Sequence, residues 1–163
     1  MERIDEIDVK ILTLLQGNGR MKRNRIAEVV GLSVPSVSER MRKLEERGVI
    51  SGYHAVLDPK RLHFDITAFI RVMVDRSEHF EAFVAKALQM EAVQEVHSIT
   101  GEGSHIMKVR TQNTTTLERL LSQVQSWPGV HGTSTSIVLS TFKETRALPA
   151  HPTELFHSEI APV

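Results

Sequence analysis

The sequence predicts an α+β protein in two parts: three short helices within the first 50 residues, then a βαββαβ unit forming one antiparallel sheet with both helices on one face. Three observations predict it. Apolar residues recur at helical spacing across residues 5–16, 23–30 and 34–46. Beyond residue 66, strand-length runs rich in β-branched residues flank two amphipathic stretches. Charge is also uneven: residues 20–47 hold eight Lys or Arg against four Glu, in a chain whose net charge is zero.

The first helix starts at Asp5, an N-cap with a second carboxylate, Asp8, at N3 near the positive end of the helix dipole. Ile4 and Val9 staple the entry, Ile7, Ile11, Leu12, Leu14 and Leu15 form the apolar face, and Gly17, Asn18 and Gly19 stop it.

Residues 23–47 (RNRIAEVV, GLS, VPSVSERMRKLEER) read as two helices joined by a tight turn. Ala27 puts a small side chain at the helix crossing, and Gly31 lets the chain leave the first helix at positive φ. Ser33 caps the second helix, Leu32 and Val37 staple it, and Pro35 falls in its first turn, where no N–H is needed. Val37, Met41 and Leu44 make a buried stripe; Pro35, Ser38, Glu39, Arg42 and Glu46 face the other way, flanked by Ser36 and Lys43. A polar outer face on the second helix and a local charge excess are what a helix-turn-helix reader of double-stranded DNA requires.

Residues 49–57 (VISGYHAVL) predict a strand leading out of the helical part, and residues 51–64 are assigned as the connecting strand and linker. Strands are predicted at 67–74, 93–100, 105–111 and 133–142. Ser77 is read as the cap of a helix bearing Phe80, Phe83, Val84, Ala87 and Leu88. Thr115 and Glu118 form a capping box for a helix with Leu117, Leu120, Leu121 and Val124 inward. The free sheet face keeps apolar residues, among them Phe69, Met73 and the strand around Ile137, so burial against a second copy is expected. The expected parts are therefore 1–50, 51–64, 65–145 and a flexible tail over 146–163, where Leu155 and Phe156 could dock on a neighbour.

Neutral charge and pI near 7.1 argue against a nonspecific polyanion binder. The chain has no cysteine, hence no disulfide or thiolate metal site. It shows neither a signal core nor a membrane span, so a cytoplasmic protein without membrane partners is expected. The eight histidines (54, 63, 79, 97, 105, 131, 151, 157) include no i, i+3 or i+4 helical pair, so no metal or catalytic site is expected. Gly101-Glu102-Gly103 joins two strands and opens no helix, so it is a hairpin turn and not a dinucleotide loop. No cofactor is expected.

The segments IDEIDVKILTLLQ, GRMKRNRIAEVVGLS, RMRKLEERGVISGYHAVLDPKRL, TGEGSHIMKV and PGVHGTSTSIVL together resemble the Lrp/AsnC family of feast/famine transcriptional regulators over about residues 2–145. The resemblance implies a ferredoxin-like (RAM-type) second domain, a homodimer that assembles to tetramers or octamers, and no enzymatic activity. Proteins similar to this family include sirohaem decarboxylases, which makes an enzyme one alternative; a non-DNA interaction module is another. On the DNA-reading assignment, Ser36, Ser38, Glu39, Arg42 and Lys43 face the major groove with Ser33 beside them, and Lys22, Arg23 and Arg25 hold phosphates. The resemblance also implies a small effector, usually an amino acid, at the turn Gly101, Glu102, Gly103, Ser104 and His105, with Thr133 and Thr135 as neighbours. The family turn commonly carries an aromatic and a second acid where this chain has Gly103 and Ser104. An amino-acid ammonium then lacks its carboxylate partner. The expectation is no effector, or one held by neutral or pH-dependent hydrogen bonds from Ser104 and His105.

Overall fold

Asp5 starts the first helix as expected: its carboxylate accepts from Asp8 N–H (2.8 Å) while Asp8 accepts from Asp5 N–H (3.3 Å), a reciprocal capping box. The computed structural model describes residues 3–154 and divides the chain into two units, one of residues up to 56 with those from 144 on, the other of residues 57–143.

In the first unit α1 (Glu6–Gly17), α2 (Arg23–Val30) and α3 (Val34–Glu46) surround a core of Ile11, Leu15, Ile26, Ala27, Val37, Met41 and Leu44. Gly31 is left-handed (φ 71°), and the next N–H, from Leu32, bonds back to Ala27 C=O at 3.0 Å. Ser33 Oγ caps α3 by accepting from Ser36 N–H.

The strand expected over 49–57 is absent. Val49 and Ile50 N–H both bond to Leu44 C=O, and both side chains pack on the helical core, so the run begins by sealing the end of α3. The residues after them have no strand partner among the described residues, and β-propensity does not make a strand without one. The segment after residue 146 is not a free tail as far as it is described. Gln16 Nε2 donates to Leu148 C=O (2.9 Å), Leu148 N–H donates to Gln16 Oε1 (2.6 Å), and β6 (Thr153–Glu154) pairs antiparallel with β1 (Arg3–Ile4). Leu155 and Phe156 lie outside the described residues.

The second unit has strands β2 (Ile66–Val74), β3 (Val93–Ser98), β4 (His105–Thr111) and β5 (Val130–Ile137) in the antiparallel order β3-β4-β2-β5, with α4 (Phe80–Leu88) and α5 (Thr114–Gln125) on one face. This is the expected ferredoxin-like arrangement. The core joins Ala68, Ile70, Val72, Met107 and Val109 to Phe83, Ala87, Leu117, Leu120 and Val124. Local expectations shift in four places. Ser77 begins a 3-10 turn (Ser77–His79) and does not cap α4. The capping box of α5 is Asn113 with Thr116: Asn113 Oδ1 accepts from Thr116 N–H and Thr116 Oγ1 from Asn113 N–H, both at 3.0 Å. Leu88, last in α4, is exposed. The final strand starts earlier, at Val130, and its ladder with β2 ends at Ala68 and Ile137, with one further bond from Val138 N–H to Thr67 C=O (2.9 Å); beyond it residues 139–142 have no partner strand among the described residues.

Register also assigns the faces. Phe69, Arg71 and Met73 lie on the uncovered face, opposite Ser136, Ser134 and Gly132 on β5, and beside Lys108 and Ile106 on β4. Ile137 pairs with Ala68 and so belongs to the helix-covered side, contrary to expectation.

Candidate nucleic-acid interface and effector turn

The α3 stripe of Val37, Met41 and Leu44 is buried, so the opposite side of the helix is held outward by core packing. That side carries Ser36, Glu39, Arg42 and Lys43, all exposed, with Ser38 half-buried. Ser33 and Ser36 hydroxyls bond to one another at 2.8 Å in the first turn. Arg42 is engaged: Nε and Nη2 donate to the two oxygens of Glu39 (2.9 and 2.6 Å), and Nη1 donates to Glu46. The hydrogen bonds from Arg42 hold the Glu39 carboxyl down at about 2, and Lys43 lies 3.6 Å from the same group.

Lys22 stands at the N-cap of α2 without a side-chain cap bond, Arg23 is its first helical residue, and Arg25 pairs with Glu28 at 2.5 Å. The first turn of α2 has no acidic residue, so cations gather at the positive end of the helix dipole. The helix alone gains nothing from that arrangement, whereas an incoming anion gains from both the dipole and the side chains.

Sequence reasoning missed Arg40. Its Nη1 donates to Asp5 Oδ2 (2.7 Å) and Asp8 Oδ1 (2.8 Å), tying α3 to the start of α1. The hydrogen bonds to Asp8 and Asp5 raise its pKa, and Asp8 is buried. Two carboxylates at one helix start, and a cation on the half-buried flank of α3, were the signal. A cleft of about 480 Å³ beside this tie is lined by Ser36, Glu39 and Lys43 among others, so three residues of the expected reading face border the same cleft as the tie.

In the second unit the turn folds back over β2. Gly103 has φ 85°, and a Cβ there would lie 3.1 Å from Val72 C=O, which accounts for a glycine in place of a larger side chain. Ser104 is spent inside the fold. Its N–H donates to Val72 C=O (2.9 Å), its Oγ donates to the same carbonyl (3.2 Å), and that Oγ accepts from Val74 N–H (3.1 Å), at the bulge between Met73 and Val74. His105 is fully buried, stacked edge-on to Phe80 and tilted on Phe83, with ring centroids 4.8 and 4.7 Å away. Its Nδ1 meets Ser104 Oγ at 2.9 Å and its Nε2 has no hydrogen-bond partner among the described residues. Burial pushes its pKa below the ordinary histidine value. The expectation that His105 titrates near neutrality against a ligand is therefore corrected.

His105, Val72 and Thr133 form one row across the sheet on the helix-covered side, where Thr133 Oγ1 accepts from Gln125 Nε2 (2.8 Å); Thr135 sits one row on, opposite Ile70. What the turn offers to solvent is Gly101 and Glu102, the Glu102 carboxylate being 94% exposed and 3.7 Å from Arg71. No group of acidic and histidine side chains able to hold a metal occurs among the described residues, and no helix there is long and apolar enough to cross a membrane.

Residues 67–148 match the family model described as the Lrp/AsnC ligand binding domain, and residues 4–51 match one described as winged helix-turn-helix DNA-binding. The HTH-type transcriptional regulator FL11 of Pyrococcus horikoshii is 41% identical over 146 residues, 90% of this chain and 96% of that protein. The leucine-responsive regulatory protein of Haemophilus influenzae is 34% identical, over 89% of each chain. A transcriptional regulator from Neisseria meningitidis, solved with L-methionine, superposes with a TM-score of 0.85 at 31% identity, over 89% of this chain and 96% of that one.

Proposed function

This chain belongs to the Lrp/AsnC family and is a DNA-binding transcriptional regulator, and on that premise we propose that α3 enters the major groove of double-stranded DNA with Ser36, Ser38, Glu39, Arg42 and Lys43 toward the bases. The observation that carries this reading is the buried Val37–Met41–Leu44 stripe, which fixes the opposite, polar face outward. Lys22, Arg23 and Arg25, with the Ser33 hydroxyl at the neighbouring turn, contact phosphates, because the acid-free start of α2 gathers positive charge. A homodimer forms through the uncovered sheet face, which leaves Phe69 39% exposed in the lone chain, and assembles further to tetramers or octamers in the cytoplasm. A small effector binds on the solvent side of the Gly101–Ser104 turn, where Glu102 is the acid available to an ammonium group, since Ser104 and His105 are turned inward.

Selection of bound duplexes from a random-sequence library by the full chain tests the reading. The expected result is a symmetric motif whose half-sites are about one helical turn, or a multiple of it, apart. Absence of any enriched motif overturns it. Glu102→Gln should weaken the response of the melting temperature to whichever of the twenty amino acids stabilises the wild type; an unchanged response places the effector elsewhere.

A further inference from the structure

The geometry points to Glu46 as a positioning residue for Arg42, one that sets how strongly this protein discriminates its operator from other DNA; this rests on the assignment of α3 as the reading helix. Arg42 spends its Nε and Nη2 fork on the two oxygens of Glu39, while its remaining nitrogen, Nη1, is held by Glu46 one turn further on. A carboxylate presents two acceptors to an arginine fork much as guanine presents O6 and N7. In the free protein Glu39 therefore occupies the place of the base edge. A guanine can take that place only if Glu39 gives it up, and Glu39 then needs a donor of its own, which the amine of a nearby cytosine supplies. A phosphate offers Arg42 acceptors but gives Glu39 no donor, so exchange on nonspecific DNA leaves a carboxylate facing negative charge.

Glu46 takes no part in the exchange. It keeps hold of Nη1 while the fork changes partner, which limits the rotamers Arg42 can visit and keeps the guanidinium over one base position. It also balances charge. Glu39, Arg42, Lys43 and Glu46 share one exposed face and sum to zero, so this face adds no net attraction to the DNA backbone. The positive excess of residues 20–47 lies off this face, with Lys22, Arg23 and Arg25 at the start of α2 among its members, where they hold phosphates without regard to sequence.

The test compares the full-length wild type with Glu46→Gln, Glu46→Asp and Arg42→Ala on two duplexes: the sequence selected by the wild type and a scrambled duplex of the same composition. Glu46→Gln should bind the scrambled duplex about threefold tighter per half-site, the effect of one unit charge some 6 Å from a phosphate in water. Its ratio of selected to scrambled affinity should fall, and its slope of log affinity against log salt should steepen by about one per subunit bound. Glu46→Asp keeps the charge on a shorter arm, so it should restore the wild-type salt slope but not the affinity ratio. The proposal is overturned if Glu46→Gln keeps the wild-type ratio and slope while Arg42→Ala weakens binding to the selected duplex. If Arg42→Ala changes neither duplex, the assignment of α3 fails and the role of Glu46 with it.

Discussion

Replacing His105 by phenylalanine should reduce the acid sensitivity of folding. Ser104 Oγ donates to Val72 C=O and accepts from Val74 N–H, so towards His105 Nδ1 it acts as an acceptor, which makes the neutral Nδ1–H form the native one. The bare Nε2 then stays buried, without a hydrogen-bond partner among the described residues, on a ring packed against Phe80 and Phe83. A second proton would place an N–H donor and a positive charge in that apolar site, which is why burial lowers the pKa. The unfolded chain takes up this proton near the ordinary value of about 6.5, before the native state does. His105 therefore contributes its full stability above pH 6.5 and loses it as pH falls from there towards the native pKa, at up to about 1.4 kcal/mol per pH unit. Phenylalanine keeps both ring contacts and leaves Ser104 two of its partners, so overpacking at neutral pH should cost no more than about 1–3 kcal/mol. Urea unfolding at fixed protein concentration, from pH 8 to pH 5, measures both proteins on one scale. The wild type should lose stability faster than the variant below pH 6.5. Parallel curves, with a constant difference at every pH, would refute the reasoning.

Two further changes probe the helical unit. Arg40→Met leaves Asp8 buried without its cation and should cost about 1–3 kcal/mol in the same assay, discounted towards the lower end because Asp5 is half exposed. Equal stability would show that the tie does not hold α3 to α1. Ala27→Leu puts three more heavy atoms at a crossing where the alanine is 5% exposed, and should lower stability by about 1–3 kcal/mol in thermal melts; an unchanged melting temperature would mean that the crossing has room to spare.

What could be read in the sequence was whatever one periodicity or one cap decides. Val37, Met41 and Leu44 lie at i, i+4 and i+7 with no competing arrangement, and the Asp5–Asp8 box is local to four residues, so both appear as read. Residues 105–111 alternate between buried and half-buried along a single strand, and β4 has those bounds. The errors came where a distant partner decides. Residues 49–57 have strand composition, but Val49 and Ile50 are claimed by Leu44 and the helical core. The Thr115–Glu118 pattern lost to Asn113 and Thr116, which close a box two residues earlier on each other's N–H groups. Ser104 and His105 look like turn residues open to a ligand, yet the backbone of β2, far off in sequence, takes one and the phenylalanines of α4 surround the other. The likeness to known regulators supported the site without showing which side chains face out; that depends on register, which sequence patterns do not fix.

The central claim is that α3 reads bases while the start of α2 holds the backbone. The affinities of wild type, Arg42→Ala and Arg23→Ala across all single-base variants of the selected site test it most directly. Arg42→Ala should lose about 1–3 kcal/mol of discrimination at one position of each half-site, and Arg23→Ala should weaken every variant alike with a shallower salt slope. Equal discrimination by Arg42→Ala and wild type at every position would contradict it.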